Sequence, residues 1–190
     1  MHFSYYEKIG NIITCIDEEI PFELPAGWEF VRLKDICELI SGRDLQPNEY
    51  NSEHIGIPYI TGASNFSDDG VFIERWTNDP QVISEIGDLL LTCKGTVGKM
   101  SFNTIGKVHI ARQIMAIRNT FHINDKYLKI CLEFYIEKIK GYAKGLIPGI
   151  SRDDMLNLIL PMPPISYQEI IVNAMDQINE SICGIEANLI

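Results

Sequence analysis

Nowhere in the 190 residues does an apolar run approach the roughly 20 needed to cross a bilayer, so no membrane span is expected. The first residues lack a charged segment followed by a greasy one, so no secretory signal is read and a cytoplasmic location is expected. Cysteine is sparse and unpaired in pattern. Cys15, Cys37, Cys93, Cys131 and Cys183 are odd in number, scattered and never spaced C-x-x-C, which argues against a disulfide framework. His2, His54, His109 and His122 show no ligand spacing, so no metal site is expected.

Catalytic signatures are missing as well. Gly95-Thr96-Val97-Gly98-Lys99 is too short for a phosphate-binding loop, and Met100 stands where Ser or Thr would follow the lysine. It reads as a β-turn. Two-metal nucleases need acids near an acid-x-Lys element, and no lysine here has an acid two residues before it. Asn78-Asp79-Pro80-Gln81 lacks the second proline and the aromatic of an amino-methyltransferase base pocket. No Ser/His/Asp or Cys/His set stands out, so a chain that is an enzyme by itself is not expected.

What is present is an uneven distribution of charge. The formal net charge is −10, which by itself argues against a nucleic-acid partner. Between Lys94 and Lys144, however, lie ten Lys and Arg but only Asp125, Glu133 and Glu137, a local +7. The remainder is −17. Such polarity suits one face for a polyanion and other faces for other partners.

The C-terminal stretch reads as a pairing helix. Pro161-Met162-Pro163-Pro164 stops the preceding element, Ser166 offers an N-cap oxygen, and Glu169 would close a capping box, with Ile165 and Ile170 as its staple. Ile171, Met175, Ile178, Ile182, Ile185 and Leu189 follow at steps of 4, 3, 4, 3 and 4, the seam of a coiled coil. Residues 166–190 would form a rod roughly 37 Å long.

Upstream, residues 1–22 read as extended chain broken by proline. Lys34 to Ile40 suggests a short helix. Pro58 to Ile60, Val71 to Ile73, Leu89 to Cys93, Lys99 to Asn103, Lys107 to Ala111 and Ile114 to Arg118 suggest strands joined by Gly-bearing turns. Asn124 can cap a helix to about Lys140, with Leu128, Cys131, Leu132, Tyr135, Ile136 and Ile139 inward. Ser151 and Asp154 make a capping box for a short helix, and Leu158 to Leu160 returns as a strand. The fold expected is α+β: a small antiparallel β-rich body, or barrel-like core, with short helices and a C-terminal coiled-coil helix.

This order of segments resembles the target recognition domain of the DNA-specificity subunits of type I restriction–modification systems. The resemblance runs from Glu19-Ile20-Pro21-Phe22-Glu23-Leu24-Pro25 and Gly27 to Leu33 through Pro58 to Gly70. Its most specific part is Gly87-Asp88-Leu89-Leu90-Leu91-Thr92 with Gly95 and Gly98-Lys99, then Gln113 and Ile117-Arg118. Ile150-Ser151, Leu160 to Pro164 and Gln168-Glu169 match the exit into a spacer helix. The family usually carries two recognition domains and two spacer helices; one of each is present here.

The resemblance implies a connector arm over 1–22, a DNA target recognition domain over 23–163 and a spacer or dimerisation helix over 164–190. It implies a non-catalytic reader of double-stranded DNA that directs methyltransferase (modification) subunits and a restriction subunit to a bipartite target. A second specificity half, or a homodimer, would pair through the helix. S-adenosylmethionine, ATP and Mg would belong to the partners and not to this chain. A protein–protein adaptor or a DNA-mimicking anti-restriction module is the alternative, since the acidic remainder could imitate DNA.

Within that reading, lysines over 94–144 neutralise phosphates without reading sequence, and Arg, Asn and Gln read base edges. The base-reading candidates are Arg43, Asn65, Arg75, Gln113 and Arg152, all near loops or strand ends. Gln113 is equally placed to hold the sheet. The phosphate candidates are Lys94, Thr96, Lys99, Lys140 and Lys144, and the helix-pairing candidates are the six seam residues.

Overall fold

The computed structural model describes residues 4–67, 70–142 and 149–187. The chain opens with a hairpin, β1 (Tyr6–Ile9) and β2 (Ile12–Cys15), where extended chain was expected. Then come β3 (Glu29–Arg32), α1 (Leu33–Ile36), β4 (Cys37–Ser41) and β5 (Ile57–Ile60). Short strands follow: β6 (Phe66–Ser67), β7 (Gly70–Val71), β8 (Trp76–Thr77) and β9 (Ile83–Ser84). The centre of the fold is β10 (Leu89–Thr92), β11 (Met100–Phe102), β12 (Val108–Ile110) and β13 (Ile114–Asn119). The chain ends with α2 (Asp125–Tyr142), α3 (Arg152–Leu156), β14 (Ile159–Met162) and α4 (Ile165–Ala187).

Two four-stranded sheets organise the body, ordered β11-β10-β13-β4 and β8-β5-β12-β9. The first is antiparallel throughout; the second contains one parallel pair, β5 with β12. The first sheet is buried on both faces, and its side chains divide accordingly. Leu89, Leu91, Met115 and Ile117 enter the main core with Leu128, Leu132 and Ile136 of α2. The alternate residues Leu90, Ile114 and Ala116 meet Ile60, Val108 and Ile110 of the second sheet. The unbroken run Leu89-Leu90-Leu91 follows directly, since a strand covered on both sides has no polar face to keep. The result is α+β with a long C-terminal helix.

Several local expectations need correction. The helix expected over Lys34 to Ile40 ends at Ile36, because Cys37 and Leu39 bury with a period of two and pair with β13 as strand. α4 begins at Ile165, and the Pro164 carbonyl accepts from the Tyr167 and Gln168 amides at 2.9 and 3.2 Å. Ser166 therefore lies in the first turn and does not cap it. Ile165 and Ile170 are both more than half exposed and form no staple. The capping residues Asn124 and Ser151 do act as expected: Asn124 Oδ1 accepts from the Tyr127 amide at 3.1 Å, and Ser151 Oγ from the Asp154 amide at 3.1 Å.

α4 has two halves. Its first turns dock on the body through buried Gln168 and Val172. Gln168 accepts from the Asn124 amide at 2.8 Å and donates to the Pro163 carbonyl at 3.0 Å. Ile171 and Met175 are partly covered there, whereas Ile178, Ile182 and Ile185 are about half exposed or more. Leu189 lies outside the described residues. The seam is thus divided between a docked half and a free half.

Candidate nucleic-acid interface

The register places several strand ends at one rim. Ser41 and Leu91 flank Met115 from its two sides, and Ile60 pairs in parallel with Ile110. The exits of β4, β5, β10 and β12 and the start of β13 therefore converge. Turns and loops extend this rim: residues 42–45, Thr61 to Asn65, Lys94 to Lys99, Arg112 and Gln113, and Gly149 to Arg152. The last of these is tied in by the Ile150 amide on the Cys93 carbonyl at 2.9 Å.

The Lys94–Lys99 turn is a built feature. Buried Thr92 holds its far end, its hydroxyl accepting from the Lys99 amide at 2.9 Å and its carbonyl from the Gly98 amide at 2.8 Å. Val97 is buried in the main core, and Gly95 and Gly98 take positive φ of 71° and 90° that lysine or threonine would adopt only at a cost. The effect is to pin the backbone while Lys94, Thr96 and Lys99 remain exposed. Among the described residues, neither Lys94 nor Lys99 has an acidic partner.

The rest of the basic stretch is different. Lys107 pairs with Glu85 at 3.8 Å, Arg112 with Asp44 at 2.7 Å, Arg118 with Asp88 at 2.9 Å, Lys126 with Asp176 at 2.8 Å and Lys129 with Glu133 at 2.7 Å. Four of these five acids lie outside the stretch that carries the cations. Four acids from outside the stretch thus offset part of the local +7 read from the sequence, and among its described side chains the cations without an acidic partner are Lys94 and Lys99. The side chain of Lys140 and all of Lys144 lie outside what the structure describes.

The base-reading candidates separate clearly. Arg43 is exposed on the rim with no acidic partner among the described residues. Arg75 is exposed beside the exit of β5, its carbonyl accepting from the Tyr59 amide at 2.7 Å and its guanidinium 4.8 Å over the Tyr50 ring. Asn65 is a correction. It is buried, its Oδ1 accepts from the Thr61 amide (2.8 Å), the Thr61 hydroxyl (3.1 Å) and the Gly62 amide (3.2 Å), and its Nδ2 donates to the Phe72 carbonyl at 2.9 Å. Its polar groups hold the loop, and its burial keeps it from facing a base. Arg152 is exposed on the rim and has one anchored nitrogen: Nη1 donates to the Leu39 carbonyl and lies 3.4 Å from the Ser41 hydroxyl, tying α3 to β4. Gln113 is placed for the holding role that was open to it: with its amide nitrogen turned toward the loop it donates to the Thr61 carbonyl and Asp44 Oδ1 at 3.2 Å each.

Sequence reasoning missed three residues at this rim. Asp44 accepts from both the backbone amide and the guanidinium of Arg112. His109 and Tyr59 are buried behind it. A histidine inside the apolar strand Val108-His109-Ile110 was the available signal, since a buried imidazole must find partners. The Gly87-Asp88 pair, by contrast, belongs to the opposite rim. Asp88 is buried and accepts from Ser84 Oγ (3.1 Å), the Glu85 amide (2.8 Å) and both Nε and Nη2 of Arg118 (2.9 Å each). Its role is to fasten the sheet. Among the described residues no cluster of His, Cys, Asp and Glu could hold a metal, and no helix is long and apolar enough to cross a membrane.

Comparison identifies the family of this two-sheet body with its exposed cations and partly docked helix. Residues 25–190 match the type I restriction modification DNA specificity domain, and the chain belongs to that family. It is similar to the EcoAI specificity subunit of Escherichia coli, 26% identical over 184 residues, covering 85% of this chain and 30% of that protein. It is also similar to the MjaIX specificity subunit of Methanocaldococcus jannaschii, 24% identical, covering 85% of this chain and 40% of that protein. Among solved structures, the HsdS subunit from Thermoanaerobacter tengcongensis superposes with a TM-score of 0.77 at 26% identity, covering 88% of this chain and 41% of that one. A structure described for complex assembly and conformational transition of the type I R-M system gives a TM-score of 0.79 at 27% identity, covering 88% and 42%. The chain thus spans well under half the length of these relatives.

Proposed function

We propose that this chain reads one part of a bipartite DNA target for a type I restriction–modification enzyme. The observation that carries the reading is the rim where Arg43, Lys94 and Lys99 stand exposed without acidic partners among the described residues, in a chain of the DNA specificity domain family. Lys94 and Lys99 flank a turn whose backbone is held from inside, so they can meet phosphates at small cost in order. Arg43 is the base-reading candidate best supported: it is free, and its backbone is fixed by bonds to the second sheet. A bidentate arginine contact to guanine is worth about 1–3 kcal/mol of discrimination.

The chain itself performs no chemistry in this reading. Modification subunits supply methyl transfer from S-adenosylmethionine, and a restriction subunit supplies ATP- and Mg-dependent cleavage. The free half of α4 pairs with a second specificity half or a second copy through Ile178, Ile182 and Ile185. Changing Ile178 to Asp places a charge on that stripe and abolishes the pairing, as sizing by light scattering will report.

The decisive experiment co-expresses the chain with its modification subunit and maps methylated adenines across the host genome. The reading expects a defined bipartite motif, one half of which is lost with Arg43→Ala. A motif unaffected by the absence of this chain overturns it.

A further inference from the structure

Residues 42–45 cross from the first sheet to the second and are held at almost every step. The Gly42 amide donates to the Ile114 carbonyl at 3.0 Å and the Arg43 amide to the Ile110 carbonyl at 2.9 Å. A Cβ at Gly42 would stand 2.1 Å from the Ala111 carbonyl oxygen, so only glycine permits the crossing. Two buried side chains complete the hold from the other side. His109 and Tyr59 are register partners on β12 and β5, with ring centroids 4.9 Å apart. His109 Nε2 lies 2.9 Å from the Arg43 carbonyl, and the Tyr59 hydroxyl accepts from the Leu45 amide at 3.3 Å. The Val82 amide donates to His109 Nδ1 at 3.3 Å, so the imidazole proton must be on Nε2, where it meets the Arg43 carbonyl.

We infer that His109, backed by Tyr59, is a positioning residue that fixes the segment presenting Arg43, and that sequence discrimination at this rim requires its imidazole to be neutral. This rests on the DNA-reading role proposed above. Protonation at Nδ1 would set an N–H against the Val82 N–H, two donors facing each other, and would put a charge where no surface is exposed. Burial holds the imidazole below its ordinary range. Glu49 and Asp44, on the chain segment facing the ring, favour the charged form and oppose burial without overcoming it. Tyr59 on β5 and Ile83 on β9, its strand partners, bring no charge. The sign follows. The unfolded chain takes up the proton first as pH falls below about 6.5, so the arrangement is fully stable above that value and weakens below it.

The test uses the whole chain assembled with its modification subunit, at about pH 7.5 and about pH 5.5. Two quantities are measured: amide exchange protection over residues 43–45, and the ratio of affinities for the target duplex and one altered in a single half-site. On acidification wild type should lose up to about tenfold in protection, and its affinity ratio should fall in the same direction. His109→Gln, whose amide can still donate to the Arg43 carbonyl, should keep the ratio at pH 7.5 and lose the pH response. His109→Phe should show a low ratio at both pH values. A wild-type pH response in His109→Gln, or protection over 43–45 that does not change with pH in wild type, overturns the inference. If protection changes with pH but wild type discriminates between the duplexes at neither pH, the DNA-reading role fails, and the functional part of this inference fails with it.

Discussion

The first sheet ends in two rims built from the same three strands, β4, β10 and β13, and they handle charge in opposite ways. At one, Glu38, Asp88 and Arg118 form a knot: the guanidinium lies between a buried carboxylate at 2.9 Å and an exposed one at 3.4 Å. Ser84 and Asn103 extend it, Asn103 donating to Ser84 Oγ at 3.2 Å and to the Glu85 carbonyl at 2.9 Å. At the other rim the backbone is held chiefly by glycine turns, Thr92, Gln113, His109 and Tyr59; one exposed pair, Arg112 with Asp44, lies there at 2.7 Å, while the cations Arg43, Lys94 and Lys99 are left in water. The contrast separates two uses of a positive charge. One sunk into a buried carboxylate secures the fold and is lost to any partner, whereas one whose backbone is fixed by uncharged bonds stays available to a polyanion.

The largest effect should come from breaking the knot. Asp88→Ala removes the acceptor for four donors and leaves a partly buried guanidinium with the exposed Glu38 as its remaining ion-pair partner. A loss of about 3 kcal/mol in unfolding free energy is expected, measured by urea denaturation. DNA discrimination by the surviving folded complex should be unchanged. A variant as stable as wild type would show that this rim does not carry the fold.

Next comes the open rim. The double change Lys94→Ala and Lys99→Ala should leave stability within about 0.5 kcal/mol, because neither side chain is paired or buried. DNA affinity of the assembled complex should fall about tenfold for target and non-target duplexes alike, with the salt slope reduced by about 1.8 for two lost phosphate contacts. Titrations at three salt concentrations would decide it, and an unaltered slope would remove these lysines from the interface.

How much of this contrast could be read in advance differs by element. α2 and α3 announce themselves through their caps and apolar spacing, and β10 through its apolar run between turns. β4 was misread because Leu33 and Ile36 look helical and only burial on both sides of the sheet reveals the alternation of Cys37 and Leu39. The basic stretch was visible as a block, but the acids that quench it were not. Asp44 reaches Arg112 across 68 positions, Asp176 reaches Lys126 across 50, and Asp88 reaches Arg118 across 30. Local charge counting cannot see partners at that distance. Asn65 was misplaced for a related reason: a polar residue near a loop either faces a ligand or holds the loop, and only its bonds and burial tell which. The seam of α4 was legible as a stripe, while its division into a docked and a free half depends on where Gln168 and Val172 meet the body.

The smallest expected effect sharpens the contrast most. Lys126 belongs to the same basic stretch as Lys94 and Lys99, is similarly exposed, and differs in having a partner, Asp176 on α4, at 2.8 Å. Both side chains of that pair are well exposed to water, so Lys126→Ala should cost less than about 1 kcal/mol. The docking of α4 should survive, because Gln168 and Val172 hold its first turns independently. DNA affinity should match wild type at every salt concentration. If this variant instead weakens DNA binding as far as the Lys94 and Lys99 pair does, the summed charge of the stretch, and not the cations left free at one rim, governs the encounter, and the distinction between the two ends of the sheet loses its functional meaning.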